Sequence, residues 1–284
     1  MKPLKIPDSY NYIGVFLTFA CNLHCPYCIN YFEGKLSERK TIKGDDWIKL
    51  LNRVESREDL PLSLQGGEPS IHPDFLHIIN SIKPNLNIDI LTNLQFDIDK
   101  FMKKVDPRRV KRDAPYASIR ISYHPEVMDL KQTIEKTLKM QKKGFSVGIW
   151  SVLHPKYKTH ILEAQEKCLG LGIDFRTKEF LGEYHGKLWG TYKYPEACAK
   201  KSKKKVLCKT SELLIDPQAE IFRCHHDIYS GSNPLGSLFD EDFRIEEKFR
   251  TCRDFGFCNP CDIKVKTNRF QEYGHTSVEI KLSD

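Results

Sequence analysis

Between residues 13 and 180 the chain alternates short β-type runs with amphipathic stretches, and this alternation constrains its architecture more than any other feature. Apolar, branched or aromatic runs at 13–20, 62–65, 88–92, 117–123, 145–153 and 173–180 read as strands, most of them opened by Gly, Pro or Asn. The stretches 45–56, 74–82, 98–105, 130–143 and 159–171 read as helices. In the fourth, Leu130, Ile134, Leu138 and Met140 follow roughly helical spacing, and Gly144 supplies a stop. Strand–helix–strand repetition implies parallel β/α units with right-handed crossovers. Six units are too few for an eight-fold barrel, which takes ~250 residues, so the expected fold class is α/β, a partial (β/α)6 barrel. Functional groups should then gather at the C-terminal ends of its strands. After residue 205 the pattern changes to a hairpin, 213–215 and 221–223 around 217–219, and then a short helix near 242–249. The expected division is a core over 1–185, a lysine-rich linker over 186–205 and a small C-terminal hairpin-plus-helix domain over 206–284.

The ten cysteines are grouped: Cys21, Cys25 and Cys28 near the start, and Cys208, Cys224, Cys252, Cys258 and Cys261 near the end, with Cys168 and Cys198 apart. A chain of 284 residues needs no disulfide staples, and no apolar signal segment opens it. The uncharged run 9–32 is too polar to span a bilayer, since its apolar part is only 13–20. The chain therefore reads as soluble and cytoplasmic, with no membrane partner, and grouped cysteines there suggest metal or redox chemistry. Of the net charge of +7, +6 comes from 186–205, where seven lysines face one acid, Glu196. A solvated basic segment is the plainer reading, and a nucleic-acid partner is not expected from it.

Cys21-Asn-Leu-His-Cys25-Pro-Tyr-Cys28 follows the first strand directly. Three thiolates at spacings of four and three can converge on one cluster from one loop. A cubane cluster is usually held by four thiolates, so three leave one iron open to a ligand. Zinc held by the same cysteines with His24 is the alternative. The second strand ends in Gln65-Gly66-Gly67-Glu68-Pro69, where two glycines let the backbone approach a ligand closely and Glu68 can accept from an ammonium.

The pair of motifs resembles the radical S-adenosylmethionine (SAM) superfamily: a Cys-x3-Cys-x-aromatic-Cys loop after the first strand, then a Gly-Gly-Glu-Pro element. The resemblance covers most of the chain and implies a partial TIM-like barrel. It implies that Cys21, Cys25 and Cys28 ligate a [4Fe–4S] cluster whose fourth iron chelates SAM. It further implies that one electron cleaves SAM to a 5′-deoxyadenosyl radical, which abstracts a hydrogen atom from substrate. Gly66, Gly67, Glu68 and Pro69 would bind the methionine end, Tyr27 would lie beside the adenine, Ser122 would contact the ribose, and Asn93, which ends the third strand in a Leu-Thr-Asn segment similar to the family's, would join the cofactor site. A one-electron donor such as flavodoxin or ferredoxin is the implied protein partner.

The C-terminal cysteines resemble the "twitch" domain, a shortened relative of SPASM, with one auxiliary [4Fe–4S] cluster on Cys208, Cys224, Cys258 and Cys261. A zinc ribbon on the same residues is the alternative. The likeness departs at Ala219, where glycine is usual, and an altered turn is expected there. Cys252 is ambiguous: a substitute ligand, a hydrogen donor or inert. His124 and His154 follow the fourth and fifth strands as candidate proton acceptors, and Glu183-Tyr184-His185 follows the sixth. His225 and His226 adjoin Cys224 and are expected to support a cluster, while Cys168 is expected to be buried and inert. The expected reaction is oxidation of a small polar substrate such as a sugar or aminocyclitol. A peptide maturase or epimerase is the alternative; against a maturase, only twenty residues precede Cys21, which leaves no room for an N-terminal peptide-recognition domain. A zinc module touching RNA through 200–205 is more distant.

Overall fold

The computed structural model describes residues 1–30, 39–268 and 271–282. Six parallel strands form at the expected places: β1 (Tyr12–Thr18), β2 (Leu62–Gly66), β3 (Ile88–Thr92), β4 (Ile119–Ser122), β5 (Val147–Leu153) and β6 (Phe175–Glu179). Each pairs with its predecessor in sequence, in the registers Ile13 with Leu62, Leu62 with Ile88, Ile90 with Ile119, Ile119 with Val147, and Ile149 with Phe175. The connections carry α1 (Gly44–Leu51), α2 (Phe75–Ser81), α3 (Ile98–Lys104), α4 (Leu130–Lys142) and α5 (Lys158–Gly170). Asp97 and Asp129 start α3 and α4 by accepting from backbone N–H groups of the first turn. Gly144 ends α4 with φ 88°, a conformation glycine adopts without a Cβ clash. Leu138, expected to face the core, is exposed instead, and Thr133, Ile134, Thr137 and Met140 make the buried stripe.

Strand alternation sorts the sheet into two faces. Ile13, Val15 and Leu17 of β1, with their counterparts on the neighbouring strands, pack against Trp47, Ile78 and Phe101 of the helices in one large apolar core. A buried side chain of this size contributes roughly 1.5–3 kcal/mol. The opposite face is mixed: Tyr12, Ser63, Gln65, Asp89, Arg120 and Lys178 give it a polar part, while Phe16 and Leu214 join Phe19 and Phe222 in a second, smaller apolar cluster. Toward the start of β3 and β4 it is tied by Asp89, which accepts from Arg112 Nε and Nη2 at 2.9 Å each and from Arg120 at 3.2 Å.

The segment after β6 forms a small hairpin, Gly182–Tyr184 against Lys187–Trp189. Then follow β7 (Lys204–Thr210), β8 (Glu212–Ile215), β9 (Glu220–Phe222), α6 (His225–Ser230), β10 (Gly236–Ser237), β11 (Arg250–Phe255), α7 (Pro260–Ile263) and β12 (Val278–Leu282). The expected hairpin is β8–β9. Its first strand pairs parallel with β1, Glu212 with Tyr12 and Ile215 with Val15, so the main sheet continues past β1 through β8, β9 and β10. β7 lies between β11 and β12 in a separate antiparallel sheet. Lys204 and Lys205 of the basic run therefore belong to a strand.

The helix expected near 242–249 is not formed. Arg53 takes the carbonyls of Leu238, Asp240 and Glu241, and Phe243 and Ile245 reach the core at a two-residue spacing that suits extended backbone. Among the described residues no helix is long and apolar enough to cross a membrane.

Candidate functional site

The two glycines after β2 are demanded first by the protein's own backbone. Gly67 N–H donates to the Thr18 carbonyl and Glu68 N–H to the Ala20 carbonyl, both at 2.9 Å. A Cβ on Gly66, whose φ is 148°, would lie 1.9 Å from Thr18 O, and one on Gly67 would lie 2.3 Å from Ala20 O. The end of β2 is thus clamped against the end of β1, where the cysteine loop begins. Asn30 Nδ2 donates to Gly66 O at 2.8 Å and its Oδ1 accepts from Tyr229 Oη, which closes the far side of the loop.

Glu68 is 1% exposed, and its carboxylate is fully engaged. Oε1 accepts from Ser70 N, Ser70 Oγ and Thr92 Oγ1 at 3.1, 2.6 and 2.7 Å, and Oε2 from Asn93 N at 2.6 Å. It joins the ends of β2 and β3 and starts the turn Pro69–Ile71. Asn93 passes the connection on, donating through Nδ2 to Asn22 Oδ1 at 2.7 Å inside the cysteine loop and lying 3.9 Å from Cys21 Sγ. Burial raises the Glu68 carboxyl above its ordinary value, against the pull of these donors.

Cys21 and Cys28 stand close enough to Cys25 to raise its thiol. Cys25 is pushed up to about 12 by burial, then by Glu126, Cys28 and Cys21. A set of soft sulfur donors with a carboxylate rather than a lysine or arginine beside it suits a metal or cluster, which would remove the mutual repulsion. Cys25 Sγ, a His124 nitrogen and a Glu126 oxygen lie within 4.8 Å of one another. Tyr27, on the same loop, touches both residues after β4: its Oη is 3.1 Å from Glu126 Oε2 and 3.1 Å from His124 Nδ1. One hydroxyl has one proton, so Tyr27 donates to Glu126 while His124 Nδ1–H donates to Tyr27. Burial lowers His124 to about 4, and it is neutral at pH 7. His154 stacks on the Tyr27 ring at 4.8 Å and 22°, accepts from Lys156 N, and meets Phe180 and Tyr184 edge-on. Ser122 ends β4 on the polar face of the sheet. Sequence reasoning missed Glu126, although it lies two residues beyond His124 on the same strand-end loop.

The second constellation differs in membership from the expected one. Cys208, Cys224, Cys252 and Cys258 line one cavity, with Arg223 and His226 on its wall. Cys208 and Cys252 lie side by side across β7 and β11, and their interaction raises Cys208 and lowers Cys252. Cys261 is not part of this lining. It lies among Lys264, His225 and Lys266, which lower it against the effect of burial, and is close enough to Tyr12 and Tyr229 to raise both phenols. His225 supports the region between, Nδ1 to Asp262 Oδ1 at 2.9 Å. Against burial, Cys261, Asp262 and Glu212 hold it protonated, up to about 9. His226 joins Asp227 and Asp254 at the cavity. Cys168 is buried inside α5, its thiol pushed up to about 11 by burial.

A three-cysteine loop at the end of the first parallel strand is clamped by a Gly-Gly-Glu-Pro turn at the end of the second, as the resemblance to the radical SAM superfamily leads one to expect. The chain is similar to several known proteins. It is 33% identical over 107 residues to a GTP 3′,8-cyclase of Clostridium acetobutylicum, covering 36% of this chain and 34% of that one. It is 24% identical over 190 residues to the GTP 3′,8-cyclase of Nautilia profundicola, covering 62% and 58%. The molybdenum cofactor biosynthesis protein moc-5 of Caenorhabditis elegans is 23% identical over 176 residues, 59% and 27% of the two chains. The matches span from 27% to 58% of these curated relatives' lengths. Among solved structures, anSMEcpe with bound AdoMet and Kp18Cys peptide shares the fold with a TM-score of 0.56 at 14% identity, over 90% of this chain and 83% of that one. SuiB of Streptococcus suis bound to S-adenosylmethionine does so with 0.54 at 16%, over 84% and 64%. No family model matches the chain.

Proposed function

We propose that this chain is a radical SAM enzyme that removes a hydrogen atom from a substrate C–H bond, and that its sheet is an open partial barrel with the substrate on its polar face. The observation that carries the reading is the seating of the cysteine loop by Gly66, Gly67 and Glu68 beside Tyr27. Cys21, Cys25 and Cys28 would hold a [4Fe–4S] cluster; Cys208, Cys224, Cys252 and Cys258, rather than Cys261, would hold the auxiliary one. When bound, the clusters and SAM supply one-electron chemistry and the hydrogen-abstracting group. The chain's own residues do the rest. Glu126 and His124 hold the Tyr27 hydroxyl in place, His154 and Phe180 keep water from its ring, and the His124 nitrogen turned away from Tyr27 can accept a proton.

The substrate is read as small and polar, because Gln65 Nε2 is buried on the polar face without a partner. The sugar or aminocyclitol class and net oxidation stay with that reading. The curated relatives are named for action on a nucleotide, which is the rival substrate class.

The test is anaerobic purification with iron and sulfide counting, followed by reduction with dithionite and SAM. About eight irons per chain and release of 5′-deoxyadenosine are expected, with zinc absent. Zinc in place of iron, or no SAM cleavage at full iron content, overturns the reading. Cys252→Ala should lower iron more than Cys261→Ala does, and the reverse order would restore Cys261 to the second site.

A further inference from the structure

The polar face of the sheet carries more positive charge than its acids neutralise. Lys178, near the C-terminal end of β6, alternates with Phe175 and Thr177 and so stands on the side away from the helices. It is accessible to water although protein surrounds it, as suits a group lining an open interior. The charged groups that act on it most strongly are Lys264, Arg120 and Lys266, with the Cys261 thiol acting in the opposite sense.

The acids of this face are already committed. Glu212 takes the Lys266 ammonium, Asp89 takes Arg112 and Arg120, and Asp262 takes His225. Among the described residues, the ammonium groups of Lys178 and Lys264 have no carboxylate or hydrogen-bond partner. Two buried donors of the same face are also unmatched: Arg120 Nε, and Gln65 Nε2, whose side chain is held through Oε1 by Tyr12 Oη at 2.9 Å. Arg120 is near enough to Tyr12 to lower its phenol, so these groups form one neighbourhood. Tyr229 feels both Cys261 and Cys28, which sets this neighbourhood next to the cysteine loop. Burial and the surrounding cations push the Lys178 ammonium down to about 7, against the pull of the Cys261 thiol.

We propose that Lys178 and Lys264, with Arg120 Nε and Gln65 Nε2, form a subsite for an anionic group of the substrate, a phosphate or a carboxylate, that orients the substrate on the polar face. The proposal rests on the enzyme reading above and narrows its substrate class from polar to anionic. Charge-assisted hydrogen bonds from ammonium and guanidinium groups to such oxyanions are short and strong, and an arriving anion would satisfy donors that the chain leaves open.

The test uses the cluster-loaded full chain, prepared without oxygen, at constant ionic strength. Inorganic pyrophosphate and glutarate are titrated separately by calorimetry, with chloride as reference. Saturable binding of one anion per chain is expected, weakened about tenfold or more, some 1.4 kcal/mol, in Lys178→Ala and in Lys264→Ala. Lys178→Arg should retain most of it, while Lys201→Ala, in the exposed basic run, should match the unaltered chain. Binding of pyrophosphate alone marks a phosphorylated substrate, and binding of glutarate alone a carboxylate. If neither anion binds better than chloride, or if Lys178→Ala and Lys264→Ala bind as the parent does, the subsite is refuted. SAM cleavage by the unaltered chain is measured in the same preparation. Anion binding without SAM cleavage would refute the enzyme reading and leave the subsite, and the converse would do the opposite.

Discussion

The two thiol sites are built by opposite strategies. The first draws Cys21, Cys25 and Cys28 from eight consecutive residues, a loop that exists locally and needs the fold only to seat it. The second draws Cys208 from β7, Cys224 from the start of α6, Cys252 from β11 and Cys258 from the turn before α7. Its thiols meet only if a strand pair, a hairpin and the main sheet have all formed. A group bound by the first site pays little loop-closure entropy, whereas one bound by the second cross-links distant segments and couples directly to folding. Chemistry and stability should therefore separate between them.

The largest expected effect follows from that separation. Cys25→Ala abolishes SAM cleavage and removes about four of the irons, as loss of one cubane requires, while the unfolding midpoint stays near the parent's. Retained 5′-deoxyadenosine production would break the comparison at its first term. Next in size, Cys208→Ala leaves iron in the first site but lowers the unfolding midpoint by many degrees, because the second site's binding energy is folding energy. Equal midpoints for the two variants would show that the two sites do not differ in their coupling to the fold.

Legibility in the sequence follows the same division. The six strands and five helices are local patterns of period 2 and 3.6, and the cysteine loop is contiguous, so both could be read from neighbours in the chain. The second site could not. Cys252 and Cys208 meet because β7 and β11 pair antiparallel, with Val206 opposite Cys252, and nothing within either strand specifies that partner. The spacing of Cys258 and Cys261 suggests a shared ligand set, yet Cys258 precedes α7 and lines the cavity, whereas Cys261 lies within α7 among the lysines. The role of Glu68 was also hidden. Its acidity suggested a ligand for an ammonium; the fold adds a structural duty, since both oxygens also accept from Ser70, Thr92 and Asn93.

Glu68 gives the third prediction. Glu68→Ala strips acceptors from several buried donors at the ends of β2 and β3 and should cost about 3–5 kcal/mol. Iron loss should fall on the first site, through Asn93 and Asn22, and spare the second. Glu68→Gln should cost less, since one oxygen remains to accept. Loss of iron from both sites alike would mean that Glu68 supports the whole sheet rather than the loop.

The smallest effect concerns the turn between β8 and β9, on the route to Cys224. Glycine was expected at 219, and alanine there was expected to change the turn; instead Ala219 takes the left-handed conformation itself, with φ 65°. The turn is held from outside. Asp216 Oδ1 accepts from Gln218 N and Glu220 N at 2.9 Å each, and the Ala219 carbonyl accepts from Leu238 N at 2.8 Å. Left-handed backbone costs alanine roughly 1–2 kcal/mol, which glycine would recover. Against that, the methyl is fully buried and contributes about 0.8 kcal/mol, and glycine loses about 0.5–1 kcal/mol of chain entropy. The terms nearly cancel, so Ala219→Gly should shift stability by less than about 1 kcal/mol and leave the iron count unchanged. A loss above about 2 kcal/mol in denaturant unfolding would mean that the methyl, rather than Asp216, fixes the turn that delivers Cys224 to the second site.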